Sequence, residues 1–381
     1  MITLRVRIKD KHAKALDAMA CEVNFVWNFV NELSYKHTQR TGKFFSAYDI
    51  AKYTAGASKE GLKLHSQTVQ GVTEEYVTRR KQFKKAKLRW RVSRGSRKSL
   101  GWIPFKVGAV TYKNGQLRYA GQFFRLWDSY GLADYKLRSG SFSQDARGRW
   151  YANLCVEAKE QKSEGTSSVG IDLGLKDFAT LSTGEKIEAQ RLYRGAEQAL
   201  AIAQRANRKQ RVKAIHAQIA NRRKDFLHKL STRLVKEHGA IFVGNVNASG
   251  LAKTKMAKSV LDAGWSTFRT MLQYKSDHAG VLFEEVNEAY STVTCSACGS
   301  RSGPSGLKDL RVRRWECMEC GVSHNRDTNA AMNIAARGHS RLAVGIPALK
   351  GLSLPISDER EKQQSVQTGV MPMEDHHAIR E

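Results

Sequence analysis

Apolar and basic residues alternate over Ile2-Thr-Leu-Arg-Val-Arg-Ile8, the period-two pattern of a strand with one buried and one positive face. The period then changes. Over residues 12–38, Leu16, Met19, Val23, Val26, Trp27, Val30 and Leu33 recur at helical spacing, and the helical region continues to about residue 90. From about 100 to 160 the period is two again. Residues 107–112, 116–119, 123–127 and 150–156 predict short strands, punctuated by turns at Lys113-Asn114-Gly115 and Asp145-Ala-Arg-Gly148. These strands and the first fit a small β-barrel over 1–10 and 96–162, with a helical lobe over 11–95 inserted between its first two strands. The polar segment 160–168 reads as a linker.

A second α/β pattern follows. Residues 169–173, 178–182 and 186–188 predict three strands, with a turn at Thr183-Gly184. Residues 190–238 read as one long basic helix or a helix pair, with Ile215, Ile219, Phe226, Leu230 and Leu234 on one stripe. Strands at 240–243 and 281–286 flank a helix around 264–279, and a terminal helix starts at Asn325. The fold class is therefore α/β and multidomain. Residues 338–381 carry three of the five prolines and little periodicity, so a disordered tail is expected there.

Charge narrows the function. Lys and Arg number 64 against 36 Asp and Glu, a net charge of +28, which repels itself in a compact state unless a polyanion partner absorbs it. Nucleic acid is the expected partner. No apolar run approaches the roughly 18 residues of a spanning helix, and the N-terminus lacks the apolar stretch of a signal peptide. A cytoplasmic location follows as the expectation. Residues 79–98 hold Arg79, Arg80, Lys81, Lys84, Lys85, Lys87, Arg89, Arg91, Arg94, Arg97 and Lys98 without one acid, beside Phe83, Trp90 and Trp102. Such a run reads as a phosphate track.

Of the six cysteines, four form two pairs, Cys295-Ser-Ala-Cys298 and Cys317-Met-Glu-Cys320, separated by 18 residues and each followed by glycine. Two intervening residues let both thiolates of a pair face one tetrahedral ion, and four sulfurs leave no open position, which predicts one structural zinc. The segment 310–315 is expected to supply a strand of the ribbon between the pairs. Cys21 and Cys155 read as core cysteines. Asp172 lies in the apolar strand Val169-Gly-Ile-Asp-Leu-Gly174, where a carboxylate is costly unless paired or metal-bound. Gly170 and Gly174 would let a phosphate backbone approach closely. Asp327 opens the terminal helix, where a simple cap is the other reading. The element order is that of a ribonuclease-H-like fold, in which first-strand and last-helix carboxylates share two divalent ions for phosphodiester hydrolysis.

Gly170-Ile-Asp-Leu-Gly-Leu-Lys176, Asn221-Arg-Arg-Lys-Asp-Phe-Leu-His-Lys229, Leu261-Asp-Ala-Gly-Trp265, Tyr290 with Cys295-Ser-Ala-Cys-Gly299, and Asn325-Arg-Asp-Thr-Asn-Ala-Ala331 resemble TnpB. TnpB is the transposon-encoded, RNA-guided DNA endonuclease ancestral to type V CRISPR effectors. The likeness is dense over about 169–337 and mostly architectural over 1–160. It implies a wedge barrel with a helical recognition lobe, a RuvC-like nuclease domain over 163–294 and 322–337, and a zinc ribbon over 295–321. It also implies a guide RNA from the transposon end, target double-stranded DNA beside a short adjacent motif, cleavage with two Mg2+ (Mn2+ as substitute), and a monomeric ribonucleoprotein. Arg205, Arg208, Lys209, Arg211, Lys213, Arg222, Arg223 and Lys224 on the long helix, with Lys253, Lys255 and Lys258, join the basic run as expected nucleic-acid contacts.

One position departs from the family. Relatives end the fourth strand in a catalytic glutamate, in a pattern like Val-Val-Glu-Asp-Leu, whereas Ile241-Phe-Val-Gly-Asn-Val246 has Gly244 there. Either the site is broken, leaving a nuclease-dead RNA-guided repressor, or the carboxylate comes from Phe283-Glu-Glu-Val-Asn-Glu288. Glu288 stands where many relatives have proline, and Gly244 would leave room for it. With Asp172 and Asp327 inside intact motifs, a rearranged triad of Asp172, Glu288 and Asp327 is the preferred reading, with Glu284 and Glu285 as weaker candidates.

Overall fold

In β1 (Ile2–Ile8) Leu4, Val6 and Ile8 are buried while Thr3 and Arg5 face outward, as strict alternation dictates. The computed structural model describes residues 1–57, 59–157, 162–306 and 308–349. The chain divides into two units, Met1–Gln161 with Leu192–Phe226, and Lys162–Arg191 with Leu227–Glu381.

In the first unit β1 is followed by α1 (Ala13–Thr41), α2 (Ala47–Thr54) and α3 (Ser66–Phe83). Then come β2 (Trp102–Phe105), β3 (Val110–Lys113), β4 (Gln116–Tyr119), β5 (Gln122–Trp127), β6 (Lys136–Gln144) and β7 (Trp150–Glu157). The strands form an antiparallel, barrel-like sheet in the order β2-β6-β7-β1-β5-β4-β3, so the helical lobe is indeed an insertion after the first strand. Its core is aromatic, with Phe142 ringed by Phe105, Tyr119 and Phe124 at centroid distances of 5.1–5.6 Å. The strand β6 escapes the period-two reading because Lys-Leu-Arg-Ser-Gly-Ser-Phe-Ser-Gln is mostly polar; Gly140 is needed where Phe105 and the Asn153 carbonyl press against the backbone.

The basic region 190–238 is a helix pair, α4 (Leu192–Arg205) and α5 (Lys209–Glu237). Leu200 and Ala203 pack on Ile215 and Ile219, so the pair seals its own apolar stripe. Residues 192–226 group with the first unit rather than with the nuclease domain expected over 163–294.

The second unit is built on β8 (Ser167–Leu173), β9 (Asp177–Leu181), β10 (Lys186–Glu188), β11 (His238–Gly244) and β12 (Leu282–Val286). Their order is β10-β9-β8-β11-β12, with β8 to β10 antiparallel and β11 and β12 parallel to β8. This is the RuvC-like, ribonuclease-H-like sheet. Between β11 and β12 lie α6 (Ala248–Leu251), α7 (Ala257–Ala263) and α8 (Trp265–Ala279). A two-stranded ribbon, β13 (Arg314–Glu316) and β14 (Ser323–Asn325), precedes α9 (Arg326–Leu349). That helix overruns the tail expected from residue 338, because Gly338 lies flat on Phe242 and the His339 ring meets the same phenyl edge-on at 5.1 Å. The remainder of that expected tail, 350–381, lies outside the described residues.

Candidate catalytic and metal centres

Two residues apart on β8, Gly170 and Asp172 face α9. A Cβ on Gly170 would strike the Ala331 carbonyl and the Ala335 backbone nitrogen, so its hydrogen seats the helix directly on the strand. That corrects its expected role of admitting a phosphate backbone. At Gly174 a Cβ would lie 2.8 Å from the Asp177 carbonyl oxygen, so that glycine serves the tight β8–β9 turn. Asp327 lies in the first turn of α9, four residues before Ala331. The cap of α9 is Asn325, whose Oδ1 accepts from the Thr328 amide at 3.2 Å, which frees Asp327 from capping.

Glu288 follows β12, the strand that runs beside β11 with Gly244 opposite Val286. A Cβ built on Gly244 would meet Glu288 Oε2 at 2.5 Å and Glu288 Cβ at 3.3 Å. The glutamate therefore fills the space left at the end of β11. Its backbone amide donates to Asn245 Oδ1 at 3.2 Å.

Asp172 feels the other two carboxylates. Burial pushes the Asp172 carboxyl up to about 7, and the negative charges of Glu288 and Asp327 push the same way, against Arg326 and Arg313. Burial also raises Glu288, with Arg269 opposing. Asp327 receives Arg313 Nη1 on Oδ1 at 2.8 Å and has Lys186 Nζ 3.5 Å from Oδ2. By contrast, Glu284 accepts from Arg341 at 2.6 Å and Glu285 from Arg269 at 2.8 Å, so ordinary ion pairs occupy both. Arg313, Lys186 and Arg269 carry no distinguishing spacing, and periodicity alone did not mark them.

Among the described residues, the one set of metal-ligating side chains whose atoms all lie within 4.8 Å of one another is Cys295, Cys298, Cys317 and Cys320. Sulfurs of Cys295 and Cys320 are 3.7 Å apart, and those of Cys298 and Cys317 are 3.6 Å apart. A tetrahedral ion with bonds of about 2.3 Å to sulfur requires edges of roughly 3.8 Å, so the thiols fit it. Both knuckles have the same geometry: Gly299 and Gly321 take φ of 81° and 69°, and each donates its amide to the first cysteine's carbonyl at 2.9 Å. Hydroxyls of Ser300 and Ser302, each 3.2 Å from Cys317 Sγ, draw that thiol down to about 5. Cys295 Sγ also lies 3.0 Å from His324 Nε2, a neighbour with no spacing signature in the sequence. The ribbon strands flank the second knuckle, while Lys308–Arg311 form a 3₁₀ turn, so the strand expected at 310–315 is displaced toward 314–316. Cys21 and Cys155 are half-buried.

The basic run is less uniform than its composition. Arg80 is buried, donating to Ser34 Oγ and the Phe45 carbonyl, both at 2.7 Å. Arg91 is drawn in by Asn24 Oδ1 at 2.6 Å and the Leu100 carbonyl at 2.7 Å, and its desolvation lowers its pKa. Both are structural donors, a correction to their expected role as phosphate contacts. Arg79 pairs with Glu75 one turn earlier on α3, and Lys87 with Glu32 of α1, so the counter-charges absent from the run lie just before it and on another helix. Asn28 and Asn31 of α1 pair with the backbones of Arg91 and Leu88 and dock this stretch along the helix. Lys81, Lys84, Lys85 and Arg89 remain exposed, as do Arg222, Lys224, Lys253, Lys255 and Lys258, while Arg223 is half-buried.

A RuvC-like sheet with Asp172 on its central strand, and a four-cysteine ribbon ahead of its last helix, define the class. The family model described as "Probable transposase" (OrfB_IS605) matches residues 153–255, and that described as "Cas12f1-like, TNB domain" matches 265–334. A Streptomyces pristinaespiralis protein assigned as an RNA-guided DNA endonuclease is 36% identical over 267 residues, 65% of this chain and 65% of its own length. InsQ of Escherichia coli (strain K12), assigned likewise, is 30% identical over 228 residues, 52% of this chain and 56% of its own. A Cas12f1-sgRNA-target DNA complex superposes with a TM-score of 0.54 at 14% identity, covering 86% of this chain and 83% of that one, a likeness of fold. The chain thus spans less than two thirds of the length of these curated relatives. By these matches the chain is similar to transposon-encoded proteins assigned as RNA-guided DNA endonucleases. No helix among the described residues is long and apolar enough to cross a membrane.

Proposed function

We propose that this protein is an RNA-guided DNA endonuclease of an insertion sequence, cutting target DNA beside a short adjacent motif with a triad of Asp172, Glu288 and Asp327. The observation that carries the reading is the fit of Glu288 into the space above Gly244, next to a carboxyl whose charge is resisted by burial and by two like charges. Three hard oxygen donors suit two magnesium ions, whose chemistry when bound is to activate water and to stabilise the leaving oxygen. Asp172, mid-sheet, would be one of the residues holding the ions, and bound cations would relieve its reluctance to ionise. Glu288 supplies the carboxylate that Gly244 lacks, and Asp327 closes the set from α9. Arg313 and Lys186 hold Asp327 oriented meanwhile. The four cysteines hold one structural zinc.

The partners are a guide RNA and double-stranded DNA, in a monomeric ribonucleoprotein. The net charge of +28 and the exposed cations Lys81, Lys84, Lys85, Arg89, Arg222, Lys253, Lys255 and Lys258 support this reading. In such complexes base pairing reads sequence while the protein binds the backbone. The deciding experiment incubates the complex with matched target DNA and magnesium. The parent should cut, Asp172→Ala and Glu288→Gln should bind without cutting, and Glu284→Gln and Glu285→Gln should cut at the parental rate. A parent that binds guided DNA yet never cuts would establish a repressor instead.

A further inference from the structure

The turn after Glu288 holds an aromatic ring in a conformation that its backbone resists. Tyr290 has φ of +62°, in the left-handed region that a bulky L-residue avoids. The residue is 59% exposed, so burial of the ring does not explain the strain.

The strain is imposed by one face of α9. Asn329 Nδ2 donates to the carbonyls of Ser291 (3.2 Å) and Thr294 (2.8 Å). Asn333 Nδ2 donates to the same two oxygens at 2.8 and 2.7 Å, and Arg337 Nη1 reaches those of Asn287 and Ala289, both at 2.7 Å. These clamps recur every fourth residue on the helix whose first turn carries Asp327, so the turn and the carboxylates share one rigid support. Arg301, beyond the first cysteine knuckle, sets its guanidinium carbon 4.4 Å from the Tyr290 ring centroid and fixes the ring's position. Strain that is over-determined by surrounding bonds, at an exposed side chain, marks a ligand contact rather than a packing need.

We propose that Tyr290 is a positioning residue that stacks on a nucleobase next to the phosphodiester to be cut. The inference rests on the nuclease reading of the neighbouring carboxylates. A guided nuclease meets every sequence at its cut site, and an aromatic face accepts any base while fixing where the strand lies. Carboxylates and cations grip only phosphates and leave the strand free to slide by a nucleotide. The ring, held two residues from Glu288, removes that freedom.

The test places 2-aminopurine at successive positions around the cut in a matched target, bound by the complex in calcium. Stacking on Tyr290 should quench one or two positions. Tyr290→Leu should lose that quenching and cut in magnesium roughly 10-fold more slowly, within the range of one base–aromatic stack. Tyr290→Phe should keep both. Tyr290→Gly, which relaxes the backbone, should melt at a higher temperature yet cut as slowly as Tyr290→Leu, an outcome that a purely structural role would not produce. Parental quenching in Tyr290→Leu overturns the proposal, as does parental cutting. Quenching that depends on Tyr290 in a parent that never cuts would refute the nuclease reading and leave the stacking contact standing.

Discussion

Replacing Asp172 with Asn should make the magnesium-free protein more stable while removing its capacity for chemistry. In the folded chain the carboxyl is pushed up to about 7 by burial first and by the charges of Glu288 and Asp327 after it. In the unfolded chain it titrates near ~3.9. Above that pH the unfolded state ionises freely, whereas the folded state must either bury a charge or hold a proton. The penalty on folding therefore starts above pH ~4, grows by about 1.4 kcal/mol per pH unit, and levels off beyond pH ~7. Three units correspond to a ceiling of about 4 kcal/mol, and partial exposure of the residue lowers the expected gain to about 1–3 kcal/mol at pH 8. For a unit of this size each kcal/mol shifts the melting temperature by roughly 2–4 °C. Thermal and urea unfolding of parent and Asp172→Asn at pH 5 and pH 8, without added divalent ions, should show an advantage for Asn that widens with pH. Adding magnesium or manganese should then stabilise the parent and not the variant. An Asn variant that gains nothing between pH 5 and pH 8 would refute the argument that this carboxylate sits strained among like charges.

Gly244→Ala should separate stability from activity: its Cβ meets the flexible end of Glu288 at 2.5 Å, so folding should change by less than about 1 kcal/mol. Displacing that carboxylate by about an ångström should nevertheless slow cleavage by up to ~100-fold, measured in single turnover. Elemental analysis should find about one zinc per chain, as a closed four-sulfur site requires. Cys317→Ser should lose that zinc and lower the melting temperature.

Much of this chain is written in local periodicity. The alternation in β1, the helical recurrence through α1 and the apolar run around Asp172 follow from which face each element must bury, and neighbours in sequence suffice to set that. The paired cysteines belong to the same category, since two intervening residues and a glycine make a knuckle with little help from the rest of the fold. Other features needed the tertiary structure. Arg80 and Arg91 lie in the same run of cations as Lys84 and Lys85, and only the carbonyls and polar side chains around them turn two of the four into internal donors, Arg80 buried and Arg91 half-buried. The polar strand β6 exists because its partners on either side supply hydrogen bonds, and α9 runs past residue 338 because Gly338 meets Phe242. Gly170 looks the same in sequence whether a phosphate or a helix lies against it; the helix does. That the charges of Glu288 and Asp327 raise Asp172 is likewise a matter of strand order and close helix approach. Such approaches join residues from distant stretches of the chain, and a one-dimensional pattern carries no record of which distant surface will meet which.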